Sequence, residues 1–337
     1  MKLLITGAAG FVASSLIDYF NRFNIEISIT GIDNFSYGYK DRLKGLKLEF
    51  INEDILKFTQ NNLQREFDFV IHSAATAPLP DNEINPSKSY ENNVVNTIRI
   101  AEYCTNIGCK NLIFFSSGAI YENDKVFPSV ESFHHKTKLV YPTSKMCAEH
   151  ALNSFANSYK LRVFSLRLFN LYGPRQDYFR KQPPLIGYLI KCLIKEEKAI
   201  LFSNGEQRRD YIYIKDVYKI INLLLNLKAN EYFVPVNLGS GFTYSVNEII
   251  NILSKVSGKK LKIERRTAEN YWNKYPYLFN KKLPLSKSII SNEVTKYSEA
   301  DISKLKDLLN FQPDTKIEEG LKECYEYALK YFKKNNL

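Results

Sequence analysis

The first twenty residues constrain the fold more than any other part of the sequence. Lys2–Thr6 is a short apolar segment typical of a buried β-strand, and it runs directly into the turn Gly7-Ala8-Ala9-Gly10. A helical pattern then continues through Phe20. Glycines in such a turn let backbone N–H groups approach a pyrophosphate at the helix N-terminus. The segment therefore predicts the first βα unit of a dinucleotide-binding α/β sheet, with a tight turn that binds nothing as the alternative.

Further apolar segments alternate with helical patterns along the next 150 residues, which is typical of a parallel, doubly wound sheet. A long helix is predicted from Lys88 to Ile107 and another from Tyr141 to Tyr159. Beyond Leu168 the alternation weakens. The predicted strands after the first are Glu26–Ile32, Leu46–Ile51, Phe69–His72, Asn111–Ser116, Leu161–Leu168, Tyr211–Ile214 and Val234–Leu238.

Residues at the predicted strand ends suggest a cofactor site. Asp33 ends the second strand, where a carboxylate can accept hydrogen bonds from ribose hydroxyls and would repel a 2′-phosphate. No arginine follows immediately, so the sequence favours NAD over NADP; a helix-capping or loop aspartate is the alternative. Ala74 and Ala75 end the fourth strand and permit close approach of a ligand. Asn93 can reach the cofactor from its helix, unless it is a surface residue.

Tyr141 and Lys145 are four residues apart on a predicted helix and therefore share a face. A phenol has a pKa of about 10 and is a poor base at neutral pH, but a nearby ammonium group lowers that pKa. The pair can thus exchange a proton with a substrate hydroxyl. Ser117, at the end of the fifth strand, supplies a hydroxyl that can hold a substrate oxygen. The alternative is an ordinary helix start with an exposed lysine.

The composition narrows the classes of partner. The 337-residue chain has a net charge of +11, with part of the excess in 175–215 and 255–287, but no compact basic run of the nucleic-acid type. These residues can instead steer a small anion into a cleft. No segment is long enough to span a bilayer, and the five cysteines have no metal-like spacing. We expect a cytoplasmic protein with no metal, nucleic-acid or membrane partner; the adjacent His134 and His135 are not expected to form a metal pair.

Taken together, the motifs resemble those of the extended short-chain dehydrogenase/reductases that act on nucleotide sugars. The resemblance covers essentially the whole chain, with motif order and spacing in agreement. It rests on Thr6-Gly7-x-x-Gly10-Phe11, Asp33, Asp54-Ile55, His72-x-Ala74-Ala75, Asn93, Ser116-Ser117, Tyr141-x-x-x-Lys145, Arg167-x-x-Asn170-x-Tyr172-Gly173-Pro174-Arg175, Gly205-x-x-x-Arg209-Asp210-Tyr211 and Asn237-Leu238-Gly239.

The resemblance implies a Rossmann-type sheet with a smaller C-terminal α/β substrate domain. It implies an NAD-binding domain over 1–169 with a returning segment at about 212–240, and a nucleotide-sugar domain over 170–211 and 241–337. It also implies a homodimer through helices at about 88–107 and 141–159. The implied catalytic group is Ser117, Tyr141 and Lys145. The implied NAD contacts are Gly7, Gly10, Phe11, Val12, Asp33, Asn34, Asp54, Ile55, Ala74, Ala75, Asn93, Ser116, Tyr141 and Lys145, and the implied substrate contacts are Ser117, Gly118, Asn170, Arg175 and Arg209.

Three departures from the family pattern bear on the reaction. The 4,6-dehydratases carry Asp-Glu where this chain has Gly118-Ala119, and the decarboxylases carry a glutamate at the second of these positions. An arginine that the family often places near 290–294 is missing, so Arg265, Arg266 or Lys287 is expected to replace it. The segment 266–289 is longer than the usual family connection.

The sequence therefore favours an NAD-dependent nucleotide-sugar epimerase, most simply at C4 through a transient 4-keto sugar, in the synthesis of surface-polysaccharide precursors. A 4,6-dehydratase or a net oxidoreductase of the same family is the alternative. A non-catalytic NAD-sensing protein is a more distant one.

Overall fold

A computed structural model describes residues 1–23, 26–132, 136–180 and 182–336. His134 and His135, whose pairing on a metal was judged unfavourable from the sequence, lie outside the described residues. A seven-stranded sheet with strand order β10-β6-β5-β4-β1-β2-β3 forms the centre, and every neighbouring pair is parallel. Its strands are β1 (Lys2–Thr6), β2 (Ser28–Ile32), β3 (Glu49–Ile51), β4 (Phe69–His72), β5 (Asn111–Ser117), β6 (Arg162–Leu168) and β10 (Phe233–Leu238).

Helices cover both faces of this sheet, and two separate apolar clusters pack one on each side. The α/β prediction is thereby confirmed. Within the described part of the chain, no helix combines the length and the apolar character needed to cross a membrane. The helices are α1 (Phe11–Arg22), α2 (Ile55–Asn61), α3 (Leu79–Ile84), α4 (Pro86–Tyr90), α5 (Asn96–Asn106), α6 (Val140–Tyr159), α7 (Leu185–Lys195), α8 (Ile214–Asn226), α9 (Val246–Ser257), α10 (Ala268–Trp272), α11 (Lys287–Thr295), α12 (Ser303–Leu309) and α13 (Ile317–Lys334).

The strand order reverses between β1 and β4, which places a crevice at the carboxyl ends of these two strands. Open α/β sheets bind ligands at such a switch point. The turn after β1, the residues after β2 and the residues after β4 therefore meet at one edge of the sheet. This edge is where the sequence placed its cofactor residues.

Two predicted elements differ from the structure for identifiable reasons. The third strand begins at Glu49 rather than Leu46, because the backbone of Lys47 is hydrogen-bonded on both sides by the Asn21 side chain, at 2.7 and 3.2 Å, instead of by β2. The helix predicted over 88–107 contains a π-helical segment, Glu91–Val95, between α4 and α5. Such bulges are frequent at functional sites.

Two smaller sheets follow β6 in the chain. One has the order β11-β9-β7 and the other pairs β12 with β8. We propose that they belong to a substrate domain with the boundaries expected from the sequence, since β10 alone of the later strands returns to the large sheet. The added strands are β7 (Asn170–Tyr172), β8 (Ala199–Leu201), β9 (Arg208–Tyr213), β11 (Thr243–Ser245) and β12 (Ile263–Arg265).

The long segment 266–289 packs against the helix that follows β4. It contains α10 and a short 3₁₀ turn, and its buried residues Trp272, Tyr275 and Leu278 form a cluster of their own. Leu79 and Ile84 of α3 pack against this cluster. The segment thus connects the second half of the chain to the helix that follows β4.

A buried ion pair holds α6 against the sheet. Arg167 on β6 binds both oxygens of Glu149 on α6, the shortest N–O distance being 2.7 Å, and both side chains are less than a tenth exposed. The hydroxyl of Ser116 on β5 also donates to Glu149. One carboxylate therefore joins α6 to two adjacent strands.

Glu149→Ala should lower the free energy of unfolding by about 3–5 kcal/mol, because removing one member of a buried pair leaves the other charge uncompensated. Urea denaturation monitored by circular dichroism measures this change. Glu197→Ala is the matched control: Glu197 is half exposed and 3.9 Å from Lys191, so its loss should cost less than about 1 kcal/mol. Equal losses for the two variants would contradict the assignment.

Candidate active site

Two cavities open along the carboxyl edge of the large sheet. The first, of about 310 Å³, lies at the switch point and is lined by residues that follow β1, β2, β3 and β4. Phe11 and Val12, which the sequence also assigned to the cofactor, form the first turn of α1 and do not line this cavity. The predicted residues that do line it are Gly7, Gly10, Asp33, Asn34, Asp54, Ile55, Ala74 and Ala75.

The turn at the start of α1 fits a pyrophosphate. Gly7 has a φ of 69°, and a Cβ there would lie 2.9 Å from the backbone of Ala74, so only glycine fits. Gly10 precedes the helix without a side-chain cap, and the first turn carries no acidic residue. The first N–H groups of α1 therefore remain available for an anion, and the helix dipole favours one.

Asp33 lies at the end of β2 with both carboxylate oxygens engaged by the backbone. It accepts a hydrogen bond from the N–H of Ala9 at 3.0 Å and one from the N–H of Phe35 at 2.7 Å. Burial raises the pKa of this carboxyl, and the two N–H groups and the charge of Arg42 oppose the rise. Arg42 itself is occupied, because its guanidinium lies over the Tyr39 ring and donates to the carbonyl of Arg175.

Asp54 and Asn93 have structural partners at this edge. Asp54 lines the cavity and also caps α2, accepting from the N–H of Lys57 at 2.9 Å. Asn93 is fully buried in the π segment behind the cavity wall. It accepts from the N–H of Thr76 at 2.8 Å and donates to the Ser144 hydroxyl at 3.0 Å. Asn93 therefore ties the loop after β4 to α6 and is not placed at the cavity surface.

The second cavity, of about 680 Å³, extends from the end of β5 to the smaller sheets. Ser117 and Tyr141 lie on its wall, and the Ser117 hydroxyl is close enough to lower the pKa of the Tyr141 phenol. Asn170 and Arg209, both predicted substrate residues, lie on the same wall. Ser116 also lines the cavity, although its hydroxyl is directed to Glu149. The structure thus brings together residues that are more than 90 positions apart in the sequence.

The sequence led us to expect that Lys145 lowers the pKa of Tyr141, and the structure does not show this lowering. Burial raises the pKa of the Tyr141 phenol, opposed by the hydrogen bond with Ser117 and by the charge of Arg180. Lys145 is buried and lines neither cavity, donates to the carbonyl of Phe115 at 2.8 Å, and has its own pKa lowered to about 7 by burial. Helical spacing placed both residues on one face but could not indicate how deeply each is buried.

A side chain at position 118 would require the Phe169 ring to shift. A Cβ at this position would lie 3.0 Å from the ring of Phe169, which stacks on Tyr121. The N–H of Ala119 donates to the Ser117 hydroxyl oxygen at 3.1 Å. The pair of small residues after Ser117 is therefore fixed by packing on one side and by a backbone contact on the other.

The two adjacent arginines of β9 have different environments. Arg209 lines the second cavity and donates to the backbone carbonyls of Glu293 and Val294, at 3.1 and 3.5 Å. Arg208 pairs with Glu248 at 3.0 Å and donates to Thr243, and its side chain is 39% exposed. Asp210 accepts hydrogen bonds from the backbone N–H groups of Ser240, Gly241 and Ala300, so it is not the partner of Arg209.

The predicted substrate residue Arg175 is not on the cavity wall. Its guanidinium donates to the carbonyl of Arg42 and lies 3.6 Å from Asp18 of α1. The candidates for the missing family arginine are also elsewhere. Arg265 donates to the carbonyls of Ser203 and Asn204, Arg266 pairs with Glu264, and Lys287 begins α11.

Two cations that the sequence did not indicate line the second cavity instead. Arg180 follows β7 in an irregular loop, and Lys274 comes from the long segment 266–289. Loops of this kind have no periodic pattern, so nothing in the sequence distinguished these two from surface residues.

Comparison with known proteins agrees with this geometry. The sequence model of the NAD dependent epimerase/dehydratase family matches residues 3–239. The chain belongs to this family. A UDP-glucuronate 4-epimerase of Thermodesulfobacterium geofontis is 30% identical over 345 residues, which cover 96% of this chain and 95% of that protein.

Two solved structures illustrate the family fold. UDP-glucose 4-epimerase of Thermotoga maritima, with UDP-glucose, superimposes with a TM-score of 0.84 at 28% sequence identity. The superposition covers 98% of this chain and 100% of the Thermotoga chain. UDP-glucuronic acid 4-epimerase of Bacillus cereus, with UDP-glucuronic acid and NAD, gives 0.82 at 27% identity with the same coverage.

As a member of the epimerase/dehydratase family, the protein is an enzyme and its cofactor is NAD. The uncapped start of α1 and the glycine turn provide a suitable cradle for the cofactor's pyrophosphate. Among the residues that the structure describes, no group of three or more histidine, cysteine or acidic side chains is arranged to hold a metal ion.

Wild-type enzyme should bind NAD at least about tenfold more tightly than NADP, because a carboxylate beside a 2′-phosphate is a like-charge contact that costs several kcal/mol. Asp33→Asn should narrow this gap by removing the charge while keeping an acceptor for the backbone. Calorimetry with both cofactors gives the ratio, and Asp41→Asn, on an exposed turn, is the control. Equal affinities of the wild type for the two cofactors would show that Asp33 does not face the ribose.

Proposed function

We propose that the protein is an NAD-dependent nucleotide-sugar epimerase that inverts C4 through a transient 4-keto sugar. The observation that carries this proposal is the shortage of acids around Tyr141. Of the described residues that line the second cavity, Glu293 is the one carboxylate, and it is paired with Lys296 at 2.7 Å. The hydroxyls of Ser117 and Tyr141 are the groups suited to proton exchange with a sugar hydroxyl.

The same observation disfavours the dehydratase alternative. Elimination of water from the sugar needs a second acid and base beside the one that acts at C4. Gly118 and Ala119 have no acidic or basic side chain to supply them, and a side chain at the first of these positions would require the Phe169 ring to shift. A net oxidoreductase would consume free cofactor, which an epimerase does not. An intact Ser117, Tyr141 and Lys145 argues against a protein that only senses NAD.

The proposed reaction assigns a proton step to the cavity wall. In its phenolate form, which the charge of Arg180 favours, Tyr141 accepts the proton of the 4-hydroxyl and later returns it to the 4-oxygen. The Ser117 hydroxyl holds that oxygen in place. NAD, when bound, supplies reversible hydride exchange at its nicotinamide ring. A cavity of about 680 Å³ is large enough to hold a nucleotide sugar and to leave its sugar ring room to turn.

Further residues have proposed supporting roles. Arg209 binds the substrate diphosphate through the part of its guanidinium that the Glu293 and Val294 carbonyls leave free, and Asn170 lies beside it on the wall. Lys145 lies one turn of α6 beyond Tyr141 and donates to the Phe115 carbonyl, and its proposed role is to bind the cofactor ribose. Asn93 positions α6 through Ser144.

The oligomeric state and the cellular compartment are proposed from the sequence. We propose a homodimer through the helices at about 88–107 and 141–159, where Val95 and Tyr159 are exposed, and light scattering of the purified protein tests it. All five cysteines are free thiols, in keeping with a reducing compartment such as the cytoplasm. The products are proposed to serve surface-polysaccharide synthesis.

Incubation of the purified enzyme with a panel of nucleotide sugars, followed by NMR, tests the proposed function. We expect a C4 epimer at equilibrium with its substrate, without net formation of NADH. A stable 4-keto-6-deoxy product would identify a dehydratase, and stoichiometric NADH would identify a net oxidoreductase.

Tyr141→Phe should lower kcat by about 10²–10⁴-fold, because the change deletes the oxygen that exchanges the proton and keeps the ring. NAD affinity and thermal stability should stay close to those of the wild type. Tyr159→Phe is the matched control, since Tyr159 is on the same helix but 64% exposed. A Tyr141→Phe enzyme within threefold of the wild type would mean that another group handles the proton.

Arg209→Ala should raise KM by about 10–100-fold with little change in kcat, because hydrogen bonds to a charged group contribute about 1.5–3 kcal/mol. Arg209→Lys should recover part of the affinity, since lysine lacks the planar fork. Arg208→Ala is the control and should reduce stability without changing KM. Steady-state kinetics and melting curves of the three variants distinguish a role in substrate binding from a role in stability. A loss of stability in Arg209→Ala with an unchanged KM would show that the diphosphate binds at another site.

A further inference from the structure

His72 is a buried histidine to which the proposed reaction assigns no role. It ends β4, is 1% exposed, and lies directly before the loop that lines the cofactor cavity. Both ring nitrogens are hydrogen-bonded. Nδ1 lies 2.7 Å from the hydroxyl of Thr6 on β1, and Nε2 lies 3.0 Å from the hydroxyl of Thr97 on α5. A single ring therefore joins two adjacent strands of the large sheet to a helix that packs on them.

The partners of the two hydroxyls fix the position of the ring proton. The Thr97 hydroxyl donates its one proton to the carbonyl of Asn93 at 2.7 Å, so it accepts from the Nε2–H group of His72. The Thr6 hydroxyl accepts from two successive backbone N–H groups of the loop after β4, each at 3.2 Å, and donates to Nδ1. His72 is therefore assigned as the neutral tautomer with its proton on Nε2.

The surroundings of the ring keep it neutral. Burial lowers the pKa of His72 to about 3, and the charge of Lys145 acts in the same direction. The His72 ring stacks on Phe114 at 5.8 Å, and the amino group of Lys145 lies 4.8 Å from the centre of the same phenyl ring. An imidazolium would also direct a second N–H at a Thr6 hydroxyl that already accepts two. The ring thus keeps one arrangement of donor and acceptor at neutral pH.

The Thr97 hydroxyl acts on the π-helical segment Glu91–Val95. It bonds the carbonyl of Asn93, four residues earlier in the chain. A threonine hydroxyl that bonds a carbonyl four residues earlier competes with the N–H groups of the helix and often bends it. The position of the Asn93 backbone therefore depends on a hydroxyl that His72 orients.

From Asn93 the hydrogen bonds continue to the start of α6. The Asn93 amide donates to the hydroxyl of Ser144 at 3.0 Å, and this hydroxyl donates to the carbonyl of Tyr141 at 2.7 Å. Asn93, Thr97 and Ser144 are fully buried. The series of hydrogen bonds thus extends from the loop of the cofactor cavity, through His72 and Asn93, to the residue that exchanges the proton in the proposed reaction.

We propose that His72 is a positioning residue that sets the place of the Tyr141 phenol relative to the cofactor. It acts through the buried hydroxyls of Thr97 and Ser144 and does not touch the substrate. Because the same ring holds Thr6, directly before the glycine turn, the cofactor cradle and α6 are both aligned on one side chain. The inference rests on the proposed function, in which Tyr141 exchanges the proton. A displacement of about 1 Å can cost about 10²-fold in rate, so a small shift of α6 is sufficient.

Thr97→Val tests the link directly, because it removes the hydroxyl between His72 and Asn93 and nearly keeps the shape. We expect kcat per NAD-bound enzyme to fall about 10–100-fold, while KM for the nucleotide sugar and the affinity for NAD stay within about threefold. Thr97→Ser keeps the hydroxyl and should restore most of the rate. His72→Phe keeps a ring without either hydrogen bond, and its kcat should fall at least as far.

Ser144→Ala interrupts the same series of hydrogen bonds at its other end and should lower kcat to a similar extent. In the double variant with Thr97→Val the two losses should not add, since each single change already breaks the series. Thr30→Val is the matched control. Thr30 is a buried threonine of β2 whose hydroxyl donates to Glu49 at 3.0 Å, so its loss should lower the melting temperature without changing kcat.

An unchanged kcat in Thr97→Val with only a lower melting temperature would make the network purely structural and overturn the inference, while the epimerase proposal would remain intact. Weaker NAD binding with full kcat at saturating NAD, or additive losses in the double variant, would also overturn it.

If the wild type converts no nucleotide sugar, the proposed function fails, and hydrogen–deuterium exchange of the segment 140–150 still tests the link to α6. Faster exchange in Thr97→Val than in Thr30→Val would support the link. Equal exchange in the two variants would contradict it.

Discussion

The pairing of Glu149 with Arg167 is the interaction on which the site depends most. It joins α6 to β6, and the Ser116 hydroxyl extends the contact to β5. Tyr141 begins the same helix, and Ser117 directly follows Ser116. A single buried carboxylate therefore joins the helix of Tyr141 to the strand of Ser117. Because both charged groups of the pair lie out of water, separating them is costly, which stabilises the packing of α6 on β5 and β6.

The strand order explains why the two cavities are neighbours. The switch point between β1 and β4 creates the first cavity, and the next strand outward, β5, carries Ser117 to the wall of the second. The segment 266–289 then packs on α3, the helix that follows β4, and contributes Trp272 and Lys274 to the second cavity. A cofactor cradle and a substrate cavity are thus adjacent through the topology of the sheet, while the outer wall comes from a segment with no regular pattern.

Strands and the residues that directly follow them could be placed from the sequence, whereas residues of the irregular loops could not. The strands Lys2–Thr6 and Phe69–His72 have the predicted bounds because continuous apolar runs specify buried strands. The third strand is shorter than predicted, because the backbone N–H of Lys47 donates to the Asn21 side chain instead of pairing with β2. Arg175 was expected in the substrate site but faces Asp18, and Arg180, five residues later, lies in the cavity. Tertiary packing decides which arginine of an irregular loop points inward. The periodicity of the sequence does not indicate it.

The claim that the enzyme inverts C4 through a transient 4-keto sugar can be tested by the fate of one hydrogen. The measurement is NMR of the products formed from UDP-glucuronate and UDP-glucose labelled with deuterium at C4. The account predicts that the epimeric product keeps the deuterium at C4, because the sugar does not leave the cavity between removal and return of that hydrogen. Deuterium found at another carbon of the sugar, lost to solvent, or accumulated on free cofactor would contradict it.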